Sequence, residues 1–130
     1  MRRVLRHRGL ILLMGVACVA VAACDSGKKE QPKVDPNLFP TDYKAKIVTF
    51  MRTYLTDRSS YVGALVSPPF LKPFGADNRY VACVRLTSGS KAGERMAVFF
   101  GGQLNQFIDA DPGGCATVAY EPFRELEAVK

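Results

Sequence analysis

The feature that most constrains this chain is a run of fifteen residues without a charge, Gly9 to Ala23 (GLILLMGVACVAVAA), set between the basic segment MRRVLRHR and the polar residues Asp25, Ser26, Gly27 and Lys28. A helix that crosses hydrocarbon needs about 20 apolar residues to cover roughly 30 Å. This run is shorter, and its order of basic, apolar and then small residues is that of a secretory signal removed on export. What folds is then the remainder of the 130 residues. The subtraction also changes the charge. Of 18 Lys+Arg, four (Arg2, Arg3, Arg6 and Arg8) belong to the leader, as does the single histidine, His7, while all 12 Asp+Glu follow it. A formal charge of +6 becomes 14 cations against 12 anions, or +2. Most of the excess of cations that would point to nucleic acid goes with the leader.

The end of the run is more specific. Val21-Ala22-Ala23-Cys24 resembles the lipobox of exported bacterial lipoproteins, an aliphatic residue and two small ones ahead of a cysteine. The resemblance implies cleavage between Ala23 and Cys24, a diacylglycerol on the Cys24 thiol, an acyl chain such as palmitate on its new amine, and no other cofactor. Cys18 fits less well, because Gly15 stands where the aliphatic residue belongs and the apolar run continues past it. An ordinary signal peptide that ends by chance on a cysteine is the remaining alternative. Each buried methylene of an acyl chain contributes about 0.8 kcal/mol, so two or three chains hold a protein at a membrane effectively permanently. Asp25, directly after the cysteine, is a pattern that in some lipoproteins favours inner-membrane retention. The expected location is the periplasmic side of a membrane, with that one residue leaning to the inner one.

Residues 24–40 read as the lipidated cysteine and a tether. DSGKKEQPKVDPNLFP carries three prolines and six charges and is almost without apolar residues before Leu38, too little to offset the entropy of ordering. Lys28, Lys29 and Lys33 are balanced by Asp25, Glu30 and Asp35, which favours a solvated linker over one that binds anionic head groups. As a flexible coil of this length it spans about 22 Å, which keeps the folded part near the bilayer.

The domain proper is then 41–130, small enough that core burial alone is marginal. Tyr43, Ile47, Phe50, Met51, Tyr54 and Leu55 recur at spacings of three and four, with Lys44, Lys46, Arg52 and Thr53 between them. That pattern predicts an amphipathic helix over 43–55, with Thr41 or Asp42 as its N-cap. Residues 61–66 read as a short strand stopped by Ser67-Pro68-Pro69, and the prolines confine 68–78 to a loop or a sheet edge. RYVACVRLT (79–87) and RMAVFF (95–100) each alternate between two faces, joined by a hairpin loop, SGSKAGE. Gly101-Gly102 breaks the second strand, 103–108 returns as a third, 115–120 suits strand or helix, and a turn around 122–126 closes the chain. The expected fold is α+β: one N-terminal amphipathic helix packed on a small antiparallel sheet of three to four strands, with one disulfide.

That disulfide follows from counting. With Cys18 in the leader and Cys24 acylated, Cys83 and Cys115 remain, in an exported domain that meets an oxidising compartment. A redox pair is expected as Cys-x-x-Cys instead, and a metal site needs more ligands than two. Loss of His7 removes Ser-His-Asp, Cys-His and histidine-metal arrangements. Carboxylates are the acid/base candidates left: Asp57, Asp77, Glu94, Asp109, Asp111 and Glu121, of which two within about 10 Å in a pocket would suit hydrolysis of a wall polymer. Asp109, Asp111 and Gly113 faintly resemble a calcium loop but lack its further ligands, and read better as an Asp-Pro-Gly turn. Glu121, Glu125 and Glu127 read as a solvated face. Neither Gly101-Gly102 nor Gly113-Gly114 precedes the Lys-Ser/Thr pair of a phosphate loop. No catalytic residue and no metal site is assigned. Phe70, Leu71 and Phe74, with Phe99-Phe100 nearby, form the candidate binding surface if exposed together; folding back to cap a thin core is the competing reading.

Taken in order, DYKAKIVTFMRTYLTDRSS, RYVACVRL, RMAVFFGGQLNQFID and YEPFREL resemble a group of small exported lipoproteins of Gram-negative bacteria. The resemblance implies an envelope location and agrees with the disulfide, and it brings no catalytic residues. The expectation is a non-enzymatic binding or accessory lipoprotein held to the membrane by its lipid, with an envelope protein or cell-wall component as partner and no nucleic acid. An inhibitor of a cell-wall hydrolase, by analogy of size, anchor and disulfide, and a carboxylate-dependent envelope hydrolase are the alternatives.

Overall fold

The computed structural model describes residues 32–129. The leader, Cys18, the cleavage position at Ala23 and Cys24, and Asp25 lie outside the described residues. The helix expected from the three-four spacing is α1, Tyr43–Tyr54. Its Ile47, Val48 and Met51, with Leu55 just past its end, are buried on one face. Asp42 takes the N-cap position, but its carboxylate makes no capping hydrogen bond and lies 3.9 Å from Lys46 Nζ instead. At the other end, Tyr61 in the 3-10 turn Arg58–Tyr61 donates its hydroxyl to the Leu55 carbonyl at 3.2 Å, serving one of the acceptors that a helix end leaves open. This use of Tyr61 shortens the strand expected over 61–66. Only β1, Leu65–Val66, pairs, because Tyr61 is drawn under the helix and Gly63 turns the chain at φ 68°.

The sheet of three to four strands expected from the sequence is corrected to six. After β1 come β2 (Phe70–Phe74), β3 (Asp77–Leu86), β4 (Gly93–Phe100), β5 (Gln103–Asp109) and β6 (Glu121–Pro122), in the order β5-β4-β3-β1-β6 with β2 also on β3. Every pairing is antiparallel. β2 runs along the first half of β3, Phe70 opposite Val81, and β1 along the second, Leu65 opposite Arg85. The two are one broken strand, and the break is Ser67-Pro68-Pro69. Prolines have no N–H to give the ladder. Ser67 compensates: its N–H donates to the Cys83 carbonyl at 2.8 Å, and its buried Oγ accepts the Cys83 N–H at 2.9 Å.

β3 and β4 are covered on both sides. Ala82, Val84, Leu86, Ala97 and Phe99 pack with α1 and with Phe123 and Leu126 at α2 (Arg124–Glu127). Val81, Cys83, Met96 and Val98 alternate to the opposite face, where segment 110–120 covers them with Ala110, Cys115, Val118 and Tyr120. That segment, whose residues 115–120 are open between strand and helix by sequence, is a series of turns joined to β3 by the Cys83–Cys115 disulfide. The final turn of the sequence reading is β6 followed by α2. Residues 34–40, read as tether, lie against the turn between β4 and β5: Gly101 N–H donates to the Pro36 carbonyl at 3.2 Å and Pro40 is fully buried. Among the described residues no helix is long and apolar enough to cross a membrane.

Candidate functional site

The carboxylates come first, because the described residues include no histidine. Hairpin register sets Arg85 on β3 opposite Glu94 on β4, the cross-strand spacing at which opposite charges meet, and segment 110–120 brings Tyr120 to the same place. Glu94 Oε1 accepts from Arg85 Nε at 3.0 Å, from a second Arg85 nitrogen, and from the Tyr120 hydroxyl at 2.9 Å. The Arg85 guanidinium also lies 4.1 Å over the Tyr120 ring. Hydrogen bonds from Arg85 and then Tyr120 hold the Glu94 carboxyl below its ordinary range. Burial, reinforced by the hydrogen bond to Glu94, pushes the Tyr120 phenol up to about 12. Neither group is poised for proton exchange near neutrality; the cluster clamps segment 110–120 to the sheet.

A second cluster ties α1 to the C-terminal elements. Lys44 Nζ lies 2.7 Å from Glu121 Oε1 and 3.1 Å from Glu125 Oε1, and the Tyr43 hydroxyl donates to Glu121 at 3.3 Å. Two carboxylates thus share one cation. Glycoside hydrolysis by such a pair needs one carboxyl raised so that it can donate a proton. Here the Lys44 hydrogen bond moves Glu121 the other way, below its ordinary range, and Glu121 in turn holds the Lys44 ammonium above its own.

The other candidates are separated. Asp77 pairs with Arg79 at 3.0 Å, Asp109 with Arg95 at 3.0 Å and Asp111 with Lys72 at 3.8 Å. Asp57 caps the 3-10 turn, accepting from Ser59 Oγ at 2.6 Å and Ser59 N–H at 3.0 Å, which lowers its pKa. The Asp-Pro-Gly turn forms as read, with Gly114 N–H on the Asp111 carbonyl at 2.8 Å. Among the described residues no group of three His, Cys, Asp or Glu side chains could hold a metal ion.

Strand alternation divides the candidate surface Phe70, Leu71 and Phe74. Phe70 and Phe74 fold onto the face that holds the disulfide and pack there half-buried. Leu71 points to the other face, opposite Tyr80, and is 52% exposed. Phe99 is core, while Phe100 stays out.

Two open concavities flank α1. One hollow of about 520 Å³ is lined by Thr41, Lys44, Val48, Arg52 and Glu125 among others. Another of about 520 Å³ lies between α1 and β5, against Lys46, Phe50, Thr53, Gln103 and Leu104. Both include Asp42, Ala45 and Thr49, so an exposed ridge of small and polar residues on α1 stands between them. Behind the second hollow Phe50, Tyr54 and Phe107 cluster, with ring centroids 5.2–5.5 Å apart, Phe50 stacked on Tyr54 and Phe107 edge-on to Tyr54. Helical spacing marks the buried face of α1 and passes over this ridge. The only sequence signal for it is the complementary stripe Asp42, Ala45, Thr49 and Thr53. No protein-family model, curated protein or solved structure matches the chain. Fold and site together define a small α+β domain whose polar clusters fasten elements to one another and whose open surface is a helical ridge.

Proposed function

We propose that the protein is a bacterial envelope lipoprotein, anchored through lipid on Cys24 on the periplasmic side of the membrane. Its small domain acts by binding an envelope protein or cell-wall component and not by catalysis. The observation that carries the reading is Val21-Ala22-Ala23-Cys24 at the end of a basic and then apolar leader. A disulfide in a domain this small supports it, since such bonds persist in oxidising compartments. The binding half draws support from the carboxylates, each tied to a neighbouring side chain or turn, and from the open ridge of α1 between its two hollows.

Radiolabelled palmitate and a carbonate wash of the membranes test the anchor. Label and protein are expected together in the membrane fraction, and Cys24→Ala is expected to lose both; a Cys24→Ala protein that sediments undiminished refutes the reading. Crosslinking in intact cells tests the ridge. A specific crosslinked species is expected that the paired substitutions Ala45→Arg and Thr49→Arg remove, and a crosslinking pattern that they leave unchanged refutes binding there.

A further inference from the structure

Among the described residues six large apolar side chains stand open to solvent: Val34 (57%), Leu38 (55%), Phe39 (46%), Val62 (66%), Leu71 (52%) and Phe100 (41%). Five of them gather at one end of the sheet, where β4 ends at Phe100 and β5 begins at Gln103. The turn between, Gly101-Gly102, has both residues at positive φ, 55° and 74°, and residues 34–39 are laid over it. A methyl on Gly101 would strike Val34 Cγ1, and one on Gly102 would sit 3.4 Å from Leu38 Cδ2. Phe39 meets Tyr80 edge-on, 5.1 Å between ring centroids, and Leu71 is the cross-strand partner of Tyr80. Phe100 closes the other side under the Arg79 guanidinium, 5.0 Å from its ring centre. Val62 is the exception. Its carbonyl accepts from Thr87 and Ser88 beyond the far end of β3, about 24 Å from Tyr80 at 3.3–3.4 Å per residue.

We propose that this end of the sheet is a membrane-contact surface, with Val34, Leu38, Phe39, Leu71 and Phe100 resting in the interfacial layer of the bilayer that holds Cys24, so that the domain stands end-on to the membrane. The proposal rests on the lipidation of Cys24. Lipid is the occupant because of where the chain leaves the domain. Val34 is ten residues from Cys24, and ten residues reach at most about 33–36 Å even when fully extended. The patch is thus the part of the domain that the chain from Cys24 meets first, and the Val62 end lies at the opposite end of β3. Charge there is balanced: Arg79 pairs with Asp77, and Lys33 stands beside Asp35, whose carboxylate accepts the Asn37 N–H at 2.9 Å. The contact is therefore apolar and independent of anionic lipid.

The chain has no tryptophan, so Leu38→Trp and, as the distal reporter, Val62→Trp each place a single emitter in the full lipidated protein. The probe is phosphatidylcholine vesicles with and without brominated acyl chains. Leu38→Trp is expected to emit at shorter wavelength and to lose about half its intensity to bromolipid, as for a side chain about 5–10 Å into the headgroup boundary. Val62→Trp is expected to keep its intensity and remain open to iodide. Phe100→Trp, on the other side of the same end, is expected to follow Leu38→Trp. Equally weak bromolipid quenching at all three positions, in protein that floats with the vesicles, overturns the membrane contact and leaves the anchor standing. A Leu38→Trp signal shielded from both iodide and bromolipid overturns it in favour of a second copy of the chain. Protein that does not float at all overturns the anchor, and this proposal with it.

Discussion

Replacing Cys83 and Cys115 together by alanine removes the link that holds segment 110–120 on the sheet, and the cost can be worked from the chain. The bond joins residues 32 apart. Closing a loop of that size takes about 2.1 + 1.5R ln n cal/mol/K from the denatured ensemble, roughly 3.7 kcal/mol at 25 °C. Both cysteines are also buried, among Val81, Met96 and Val98, so loss of the two sulfur atoms adds to that figure. Besides the disulfide, the Tyr120–Glu94–Arg85 cluster and the Asp111–Lys72 pair hold the segment, and its backbone adds little. Its backbone hydrogen bonds Gly114 to Asp111 and Ala116 to Gly113 are internal to it, and only Ala110 N–H to the Glu94 carbonyl, at 3.1 Å, reaches a strand. Urea unfolding followed by circular dichroism reads the effect. With a slope of about 1–2 kcal/mol per molar, the midpoint is expected to fall by about 2–4 M. A fall of less than about 0.5 M with an unchanged slope would mean that the link does not restrain the denatured chain, and the reasoning would be wrong.

The remaining predictions concern single side chains. Ser67→Ala deprives the buried Cys83 N–H of its acceptor and is expected to cost about 1–3 kcal/mol in thermal unfolding; a loss under about 0.5 kcal/mol would show that the strand break needs no substitute acceptor. Gly89→Ala places a methyl against Ser60 Oγ, and 2.9 Å from the Ser60 nitrogen, at φ 80°. It is expected to cost about 2–3 kcal/mol, against about 1 kcal/mol for Gly113→Ala, where φ is 78° but nothing stands within 4 Å; equal costs would refute the steric account. Tyr120, raised to about 12, contributes stability that is present below pH ~10 and lost as pH rises through about 12. A spectrophotometric titration should show a late tyrosine that Tyr120→Phe removes, and a titration unchanged by that substitution counts against the clamp. Glu94, depressed chiefly by Arg85, contributes stability present above the ordinary carboxylate pKa and lost as pH falls through its folded value. Arg85→Gln is expected to flatten that acid-side loss in denaturation midpoints, and an identical acid slope would refute the pairing.

Elements whose pattern is local are legible in the sequence. α1 follows from apolar spacing and ends one residue short of the expected boundary. β3, β4 and β5 follow from alternation, with the loop at 87–92 and the glycine pair as their turns. The disulfide follows from the number of cysteines left once the leader is set aside. Features fixed by distant partners are not legible. β2, with Pro73, takes the sheet edge that its prolines allow beside a loop, but its partner and its pairing along the whole of β2 with β3 cannot be read from the sequence. The two-residue β6 depends on β1 and on the Phe123 N–H donating to the Ala64 carbonyl at 2.8 Å. Tyr61 carries strand propensity but serves as the plug beneath α1. The carboxylates can be named from sequence, whereas their cations depend on register: Arg85 meets Glu94 and Arg95 meets Asp109 because those residues are cross-strand partners. Alternation also decides that Phe70 and Phe74 turn inward while Leu71 does not.

Burial of β3 and β4 on both faces demands two covers, and the chain supplies them unequally. One is α1 with α2, elements that satisfy their own backbone groups and present apolar rows. The other is an irregular segment with two glycines and mostly small apolar side chains, and with few backbone hydrogen bonds to the sheet. Such a cover cannot hold by burial alone. It is fixed covalently at Cys115, electrostatically at Asp111 and through the Tyr120–Glu94–Arg85 clamp. If the covalent link is worth roughly 3.7 kcal/mol in a domain whose total stability is of order 5–15 kcal/mol, its loss removes a large share of what keeps the domain folded. A disulfide persists in an oxidising compartment, and the export proposed for this chain would supply one to the Cys83–Cys115 bond.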